Sequence, residues 1–447
     1  MGKALLVGTE KRYADMSMRF LVLWARSQRV IFLCILHFMF SIYDSCMQYP
    51  LLKEAKLKGK RVLLRAGFDV PIKEGTVTDT SRIEAVLPTM KYILKEGGSL
   101  VIMAHQGRPK GKRVPEMSQK PLVPVLEKLL KVKVQFSDSC RGPEVQKMAE
   151  ALKPGDVLLL ENLRFDPAEK SKDPAKRDAF GKELAALADL YINDAFPNCH
   201  RDHASMTSVP KVLPSFMGLQ LENEVTNLSK VVDDPRRPLT LIVSGAKMET
   251  KVPVIEYFLN KGDDVLLGGC IANTFIAARG FEVGTSKYEE EQMEKAQDIM
   301  LMGEKEDLAD VHVPRDVVVA TQATEDAEKL DLPLENVMGD MSILDIGKVT
   351  IERYRKIIEK SGTIIWNGPL GLYEMNRFSH ATKRIAEGIR DATAKGATSI
   401  VGGGDTIDFH VKYNYPMDVY TFVSTGGGAM LDFISGKELP ALKALEK

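Results

Sequence analysis

Short apolar runs alternate with longer amphipathic stretches from Lys58 to the end of the chain. The short runs are rich in Val, Ile and Leu and are continuously apolar, which is typical of strands that helices cover on both faces. The longer stretches repeat apolar residues at helical spacing; they are Ile83 to Lys95, Pro121 to Leu130, Arg177 to Leu187 and Ala381 to Ala392. This alternation predicts an α/β fold with parallel sheets.

The length of 447 residues exceeds the roughly 250 to 300 residues that one hydrophobic core supports, so we expect two domains. The best boundary is a predicted helix from Leu221 to Leu228, which the stretch Asp233 to Pro238 stops. We therefore expect an N-terminal extension, a first domain, an interdomain helix with a hinge, a second domain and a tail: 1–46, 47–220, 221–238, 239–430 and 431–447.

In the first half, the apolar runs end in cationic residues. Because ligands of open parallel sheets bind beyond the carboxyl ends of the strands, we expect these charges to gather, where they would repel one another unless an anion bound among them. The set is Arg65, Arg82, His105, Arg108, Arg164 and Arg201. His200 and His203 flank Arg201; each either adds a donor or has a structural role, together with Ser205 as part of a cap.

In the second half, the runs end in glycine with few side chains. Gly402-Gly403-Gly404 lets the backbone approach a ligand, and a helix starting there offers free N–H groups to phosphate. Asp405 is either a Mg²⁺ ligand or, like Thr406, a helix cap. Lys247 and Lys251 would share one face of a helix that begins near Ala246. A second glycine triplet, Gly426 to Gly428, repeats the pattern.

Composition removes several classes of function. Lys plus Arg and Asp plus Glu both total 61, so no global field recruits nucleic acid or an acidic membrane. The five cysteines are scattered, without zinc spacing or a C-x-x-C pair, as in a cytoplasmic protein with reduced thiols. The motifs of P-loop, dinucleotide-binding and protein kinase folds are absent from the sequence.

The first 46 residues differ from the rest. Basic residues precede an apolar stretch from Val30 to Tyr43, which is shorter than the roughly 20 residues of a membrane span. It is a signal or anchor, an appended helix, or sequence translated upstream of the true start. We favour the last interpretation, with Met47 as the native start, because an exported nucleotide enzyme would lack its substrate.

Taken together, the motifs resemble the phosphoglycerate kinase family over nearly all of residues 56–447. The motifs that carry the resemblance are Lys60 to Arg65, Gly107 to Gly111, Leu160 to Phe165, His200-Arg201 with His203 to Ser205, Trp366 to Pro369, Val401 to Thr406 and Ser424 to Ala429.

The resemblance implies two Rossmann-like domains whose parallel sheets face each other across a hinged cleft. It implies reversible phosphoryl transfer between 1,3-bisphosphoglycerate and ADP, giving 3-phosphoglycerate and ATP, with Mg²⁺ accompanying the nucleotide. We expect a cytoplasmic monomer with no nucleic-acid partner, and a membrane partner only if residues 1–46 belong to the protein.

The resemblance also assigns site residues. For the three-carbon acid they are Arg82, His105, Arg108, Arg164 and Arg201, to which we add His200 and His203 as flanking donors and Asp69, which stands at an altered family position. For the nucleotide they are Lys247, Lys251, Asn367, Pro369, Glu374, Gly403, Gly404, Asp405 and Thr406, with Glu374 at the ribose and Asp405 at Mg²⁺; we add Gly268, which follows another apolar run. We expect Arg82, Lys247 and the backbone N–H groups of Gly403 and Gly404 to stabilise the charge of the transferred phosphoryl group.

The chain departs from the family after its first strand. The family has Arg-Val-Asp-Phe-Asn-Val-Pro, with Asp and Asn contacting the glycerate, whereas Gly67 and Asp69 stand at those positions here. Asp69 either covers part of the missing function or adds negative charge beside an anionic acid. Ser244 and Cys270 replace family glycines, and we expect both to be tolerated.

Three functions remain open from the sequence: a metabolic kinase acting on a small acid, a related enzyme with a different acid preference, and a weakly active homologue kept for interactions. Because Arg82, Lys247 and Asp405 are all retained, we favour the first.

Overall fold

A computed structural model of the chain describes residues 49–446. The interpretations of residues 1–46 and of Met47 as the start therefore lie outside the described residues. Tyr49–Lys447 forms one compact unit, and within the described part of the chain no helix is long and apolar enough to cross a membrane.

The first half is a sheet of six parallel strands in the spatial order β5-β6-β4-β1-β7-β8. A two-stranded hairpin, β2-β3, lies outside it. The strands are β1 (Arg61–Ala66), β2 (Ile72–Lys73), β3 (Thr76–Val77), β4 (Ser99–Met103), β5 (Val134–Ser137), β6 (Val157–Leu160), β7 (Leu190–Asp194) and β8 (Ser215–Met217). The helices are α1 (Ser81–Lys95), α2 (Val123–Leu130), α3 (Pro143–Glu150), α4 (Pro174–Ala185) and α5 (Leu219–Asp233).

The second half repeats this plan with the order β11-β10-β9-β15-β16-β17, again parallel, and adds a small antiparallel sheet, β13-β12-β14. Its strands are β9 (Leu239–Val243), β10 (Asp264–Leu267), β11 (Asp310–His312), β12 (Asp316–Ala320), β13 (Leu330–Pro333), β14 (Ser342–Ile346), β15 (Thr363–Asn367), β16 (Thr398–Gly402) and β17 (Phe422–Ser424). Its helices are α6 (Val252–Lys261), α7 (Gly269–Ala278), α8 (Met293–Met302), α9 (Lys348–Lys360), α10 (His380–Ala394), α11 (Gly404–Tyr413), α12 (Gly427–Ile434) and α13 (Pro440–Lys443).

The prediction of an α/β fold with parallel sheets is confirmed, and each amphipathic stretch contains a helix. Some helix ends moved for local reasons. The fourth helix starts at Pro174 rather than Arg177, because the Asp173 side chain accepts a hydrogen bond from Ala175 N at 3.0 Å and Pro174 occupies the first helical position. The second starts at Val123, after a 3-10 turn over Lys120–Leu122.

The apolar core connects the two halves. One face of each sheet packs into the same continuous cluster, which the α5 residues Leu221, Val225 and Leu228 join. The opposite faces have separate cores, one around Ile83 and Ile102 and the other around Tyr354 and Trp366. The C-terminal segment, predicted as a tail, returns to the first half, where Ala441 N donates to Cys199 O at 3.1 Å.

Candidate functional site

The cationic end of the first sheet is organised around Arg65, which is fully buried. Its Nε donates to Ser205 Oγ at 3.1 Å, and one terminal nitrogen contacts His105 Nδ1 at 2.9 Å. Ser205 Oγ in turn donates to the buried Glu169 carboxylate at 2.7 Å. The expectation that these charges repel unless an anion binds is therefore wrong for Arg65, because a buried carboxylate two hydrogen bonds away compensates its charge.

Asp69 is held by its neighbours. Its carboxylate accepts from Gly107 N at 2.9 Å and lies 3.6 Å from His105 Nε2. Burial by itself raises the pKa of Asp69, but contacts with His105, Gly107 and Arg82 outweigh burial and hold the pKa well below its usual value. Burial, together with the nearby guanidinium of Arg65, lowers the pKa of His105 to about 3, so the ring is neutral at neutral pH.

Further cations surround this pair. Arg82 donates to Asp69 O at 2.6 Å, and Arg164 donates to Gly107 O at 2.7 Å. Arg108 and Arg201 are exposed. Burial and the charges of Arg164, Arg201 and Arg108 lower the pKa of Lys170, which shows that these four side chains share one electrostatic environment. The sequence did not indicate Lys170 because this residue ends a 3-10 turn, Pro167–Lys170, and does not follow a strand.

The two histidines differ in their surroundings. His203 is buried with its Nδ1 3.8 Å from Glu169 Oε1, and burial with the nearby Arg164 lowers its pKa strongly. His200 is half-buried, and burial with the charge of Arg201 lowers its pKa to about 4. Its Nδ1 has no hydrogen-bond partner among the described residues. Ser205 lies in a π-helical turn, Ala204–Ser208, without capping it.

The glycine-rich end of the second sheet forms one hydrogen-bonded network. Lys251 Nζ donates to Asn367 Oδ1 at 2.6 Å, and Asn367 Nδ2 donates to Gly402 O at 2.9 Å. Thr406 Oγ1 accepts from Gly368 N at 2.9 Å and donates to Gly402 O at 3.1 Å. Burial lowers the pKa of Lys251 to about 8, although the carboxylates of Asp405 and Asp432 oppose the change.

Two local predictions here are wrong. The helix after β9 begins at Val252, not near Ala246, so Lys247 and Lys251 do not share a helix face; Lys251 turns inward while Lys247 is exposed in the preceding loop. The helix after β16 has Gly403 as its N-cap, without a side-chain cap, because Thr406 lies inside the first turn and bonds to the neighbouring strand ends instead.

The glycines at this end serve different purposes. Gly403 has φ +109°, and a Cβ would lie 2.9 Å from Asn367 Nδ2, whereas a Cβ on Gly404 would meet nothing within 4 Å. The N–H of Gly404 therefore begins a helix at an open surface, as phosphate binding requires. The Cβ missing from Gly268 would meet Leu370 Cγ at 3.0 Å, so this predicted nucleotide residue provides packing space.

A cavity of about 450 Å³ adjoins the network. Of the predicted nucleotide residues, Pro369, Glu374 and Asp405 line it. The sequence missed other lining residues on helix α7, on strand β14 and after strand β15, most of them uncharged; they include Asn273, Ser342, Leu344, Gly371 and Tyr373.

The second glycine triplet faces the first half of the chain instead of repeating the first triplet. A Cβ on Gly426 would lie 2.6 Å from Phe196 Cδ1, and one on Gly428 would lie 3.5 Å from His200 Nε2. A Cβ on Gly427 would meet Gly403 Cα at 2.9 Å. These glycines let the strand end pass between the two halves, and they bring the two predicted half-sites near each other.

Three departures from the family pattern have a structural explanation. Ser244 is buried and donates to Pro369 O at 2.5 Å, so its hydroxyl is satisfied. Cys270 is half-buried at the wall of the cavity. At Gly67 a Cβ would meet its nearest neighbours at 3.8 Å, an ordinary contact distance, so a larger residue fits there.

The residues around Asp405 fit a magnesium–nucleotide complex. The Asp405 carboxylate is exposed at the cavity wall in the first turn of α11, and within the described range of residues it forms neither an ion pair nor a hydrogen bond. Mg²⁺ in kinases is commonly held by one or two carboxylates together with the phosphates of the nucleotide. One free carboxylate beside a helix N-terminus matches that donor set.

Comparison with known proteins identifies relatives over most of the chain. The family model for phosphoglycerate kinase matches residues 52–437. A phosphoglycerate kinase of Bifidobacterium adolescentis is 42% identical over 393 residues, covering 87% of this chain and 98% of its own. One of Moorella thermoacetica is 43% identical over 394 residues, covering 88% and 98%.

Solved structures are also similar to the chain over most of its length. The phosphoglycerate kinase of Coxiella burnetii superposes with a TM-score of 0.77 at 35% identity, over 89% of this chain and 98% of its own. That of Pyrococcus horikoshii gives a TM-score of 0.77 at 32% identity, over the same shares of the two chains.

Proposed function

The chain belongs to the phosphoglycerate kinase family, and from that premise we propose how its two sheet ends divide the reaction. The enzyme transfers a phosphoryl group reversibly between 1,3-bisphosphoglycerate and ADP, giving 3-phosphoglycerate and ATP, a step of glycolysis. We assign the acid to the cationic end of the first sheet and the nucleotide to the glycine-rich end of the second.

This assignment of the acid and the nucleotide rests on the difference between the ends of the two sheets. At the first, Arg82 and Arg164 lie beside Asp69 and the neutral His105, and neither these two arginines nor Arg108 forms an ion pair with a carboxylate among the described residues. Planar guanidinium groups match the carboxylate and phosphate of a small acid. At the second, the open helix start at Gly404 and the inward Lys251 lie beside Asp405 and Asn367, next to a cavity large enough for a nucleotide that Asp405 lines.

For the nucleotide we assign phosphate contacts to Lys247, Lys251, Gly403 and Gly404, and the ribose end to Glu374 in the cavity wall. Thr406 and Asn367 hold the strand ends in place through Gly368 and Gly402. Asp405 would hold Mg²⁺, which, when bound with the nucleotide, supplies charge that neutralises the phosphates.

For the transfer itself, the chain's own residues supply position and charge. Phosphoryl transfer needs little covalent help, and its rate depends on in-line placement and on stabilising charge at the equatorial oxygens. Arg82 is oriented by its bond to Asp69 O, and we assign to it the charge on the acid side. On the nucleotide side that charge comes from Lys247 and the N–H groups of Gly403 and Gly404.

Closure of the two ends about α5 would bring the half-sites together and exclude water, which would otherwise hydrolyse the acyl phosphate. Glu224 on this helix accepts hydrogen bonds from Thr425 N and Thr425 Oγ1, both at 2.7 Å. The helix is thus tied directly to the glycine triplet that runs between the halves.

The proposal is tested by a coupled assay with ATP and 3-phosphoglycerate on the full chain and on Arg82→Ala. We expect Mg²⁺-dependent turnover in the wild type, a loss of roughly a hundredfold or more in kcat for the variant, and an ADP dissociation constant within about twofold of wild type. Near-normal kcat for Arg82→Ala would remove Arg82 from its assigned role. Faster turnover with another small acid would favour a different acid preference.

A further inference from the structure

A second polar cavity, of about 320 Å³, lies at the outer edge of the second sheet. It opens beside strand β11, between the C-terminal ends of α7 and α8 and the helix α9. Its lining includes three arginines, Arg279, Arg315 and Arg353, with His312, Asp310 and Glu304. None of these residues belongs to the half-sites described above.

Arg353 is fixed in this cavity by a relay of hydrogen bonds. Its guanidinium contacts His312 Nδ1 at 2.7 Å, and His312 Nε2 contacts Asp264 Oδ1 at 2.6 Å. Because a guanidinium can only donate, Nδ1 is the acceptor and the ring N–H lies at Nε2, where it donates to Asp264. The orientation of Arg353 is therefore set before any ligand arrives.

The same relay argues against a metal ion. Ligand atoms of Asp264, Asp310 and His312 lie within 4.8 Å of one another, as at many cation sites. A cation on Nε2, however, would displace its proton and leave a neutral ring with its N–H at Nδ1, facing the donor group of Arg353. The cluster therefore serves to position Arg353.

The three arginines of the cavity are not paired directly with a carboxylate. Within residues 49–446, none of Arg279, Arg315 and Arg353 forms an ion pair with a carboxylate; Arg279 instead lies over the Phe281 ring, 5.4 Å from its centroid. Burial and the neighbouring charge of Arg315 lower the pKa of Arg353. Three guanidinium groups share the cavity wall with two carboxylates, those of Asp310 and Glu304, which do not pair with them, while the third nearby carboxylate, that of Asp264, accepts from His312.

We propose that this cavity is a binding site for a small phosphate-bearing anion, held by Arg315 and Arg353 with Arg279 at its rim. Planar guanidinium groups bind tetrahedral oxyanions with paired hydrogen bonds, and a preoriented Arg353 lowers the entropic cost of binding. The site is separate from the nucleotide cavity: Val313 and Arg315 line the anion cavity, whereas Pro314 between them lines the nucleotide cavity.

Calorimetric titration of the full chain with inorganic pyrophosphate tests the site. The titration is done without Mg²⁺ and with saturating ADP and 3-phosphoglycerate, which fill the half-sites without reacting. We expect one pyrophosphate per chain in the wild type and roughly tenfold weaker binding in both Arg315→Gln and Arg279→Gln. The control, Arg390→Gln, removes an exposed arginine already paired with Asp391 and should bind like the wild type.

Arg315 and Arg279 are exposed, so both variants are expected to fold, and their turnover should match the wild type. Pyrophosphate binding that is absent from the wild type, or unchanged in both variants, overturns the proposal. Equal or tighter binding of citrate overturns the phosphate assignment. The preliminary ADP and 3-phosphoglycerate titrations are read separately, so a failure of the proposed function shows in those heats and not in the pyrophosphate heat.

Discussion

A fully buried arginine is tolerated only where its charge is balanced, and Arg65 shows how this chain does it. Ser205 Oγ accepts from Arg65 and donates to Glu169, so the two buried charges are joined through one hydroxyl. Burial raises the pKa of Glu169, while the Arg65 charge opposes the increase. Arg65 therefore fixes His105 and the cationic surface without needing a bound anion.

The prediction that concerns acid binding most directly involves Gly67 and Asp69. Gly67 has room for a side chain, so the double variant moves the carboxylate to position 67, and Asn at position 69 keeps an acceptor for Gly107 N and adds an amide donor for the acid. We therefore expect Gly67→Asp with Asp69→Asn to tighten 3-phosphoglycerate binding by roughly tenfold, measured by calorimetry. Asp69→Asn alone is the matched control. An unchanged dissociation constant for the double variant would mean that Asp69 already covers the missing function.

Lys251 predicts a pH dependence of nucleotide binding. Its pKa in the free protein is about 8, and bound phosphate would raise it. Below pH 8 the lysine is charged in both states, so affinity is constant; above pH 8 the free protein loses the proton first, so ADP affinity falls by up to about tenfold per pH unit. ADP titrations from pH 7 to 10 test this. Lys251→Met should bind weakly and show no such slope, and a wild type without the slope contradicts the assignment.

At the residue scale, the sequence predicted which types of side chain form the site better than it predicted where those side chains lie. The arginines and His105 near the strand ends were identifiable because these residue types recur after apolar runs, although Arg82 lies in the first turn of α1. Ser205 was recognised only as part of a cap, and Glu169 and Lys170 were missed because they lie on a 3-10 turn whose spatial neighbours come from distant strands. The different directions of Lys247 and Lys251 depend on where α6 begins, and the Pro at its second position did not reveal that Lys251 would be the N-cap.

Among the elements, helix α5 is distinguished by a buried carboxyl group, that of Glu224. Glu224 accepts from Thr425, and its Oε2 has no hydrogen-bond partner among the described residues. At one end of the helix, Asp194 Oδ1 accepts from Leu221 N at 2.8 Å. Burial raises the pKa of both carboxyl groups to about 7. A helix that joins the two sheets thus contains an acid whose proton is bound more tightly in the folded state.

The raised pKa of Glu224 predicts how the stability of the folded protein depends on pH. Because the folded-state pKa of Glu224 is raised, the folded protein binds more protons than the unfolded chain between about pH 4.5 and pH 7, and stability falls as pH rises through that window. Glu224→Gln removes the titration. From pH 5 to pH 8 we expect the variant to gain on the order of 2 kcal/mol relative to wild type, measured by urea unfolding. A constant difference across that range would contradict a raised pKa.

Strands and helices were the most predictable elements, since continuous apolar runs and helical spacing report burial directly. The Leu219–Asp233 helix was expected from its pattern. Less predictable was the role of Gly426 to Gly428, because glycine permits both phosphate binding and close packing, and only the positions of Phe196 and His200 distinguish the two.

At the scale of the whole molecule, the shared core limits how the two halves can move toward each other. One apolar cluster runs from the first sheet through α5 into the second, so relative movement of the halves has to occur by adjustment around this helix and the glycine triplet rather than by separating two independent cores. The sequence predicted two sheets correctly, but the return of the C-terminal segment to Cys199 depends on long-range packing that no local pattern encodes.

The central claim, that the first half binds the acid and the second the nucleotide, is tested most directly by a crossed calorimetric titration. Arg164→Met and Lys251→Met are each titrated with 3-phosphoglycerate and with ADP. We predict that Arg164→Met weakens 3-phosphoglycerate binding by roughly tenfold or more and leaves ADP within about twofold of wild type, with the reverse for Lys251→Met. If either variant weakens both ligands equally, or if the pattern is exchanged, the division of the site is wrong.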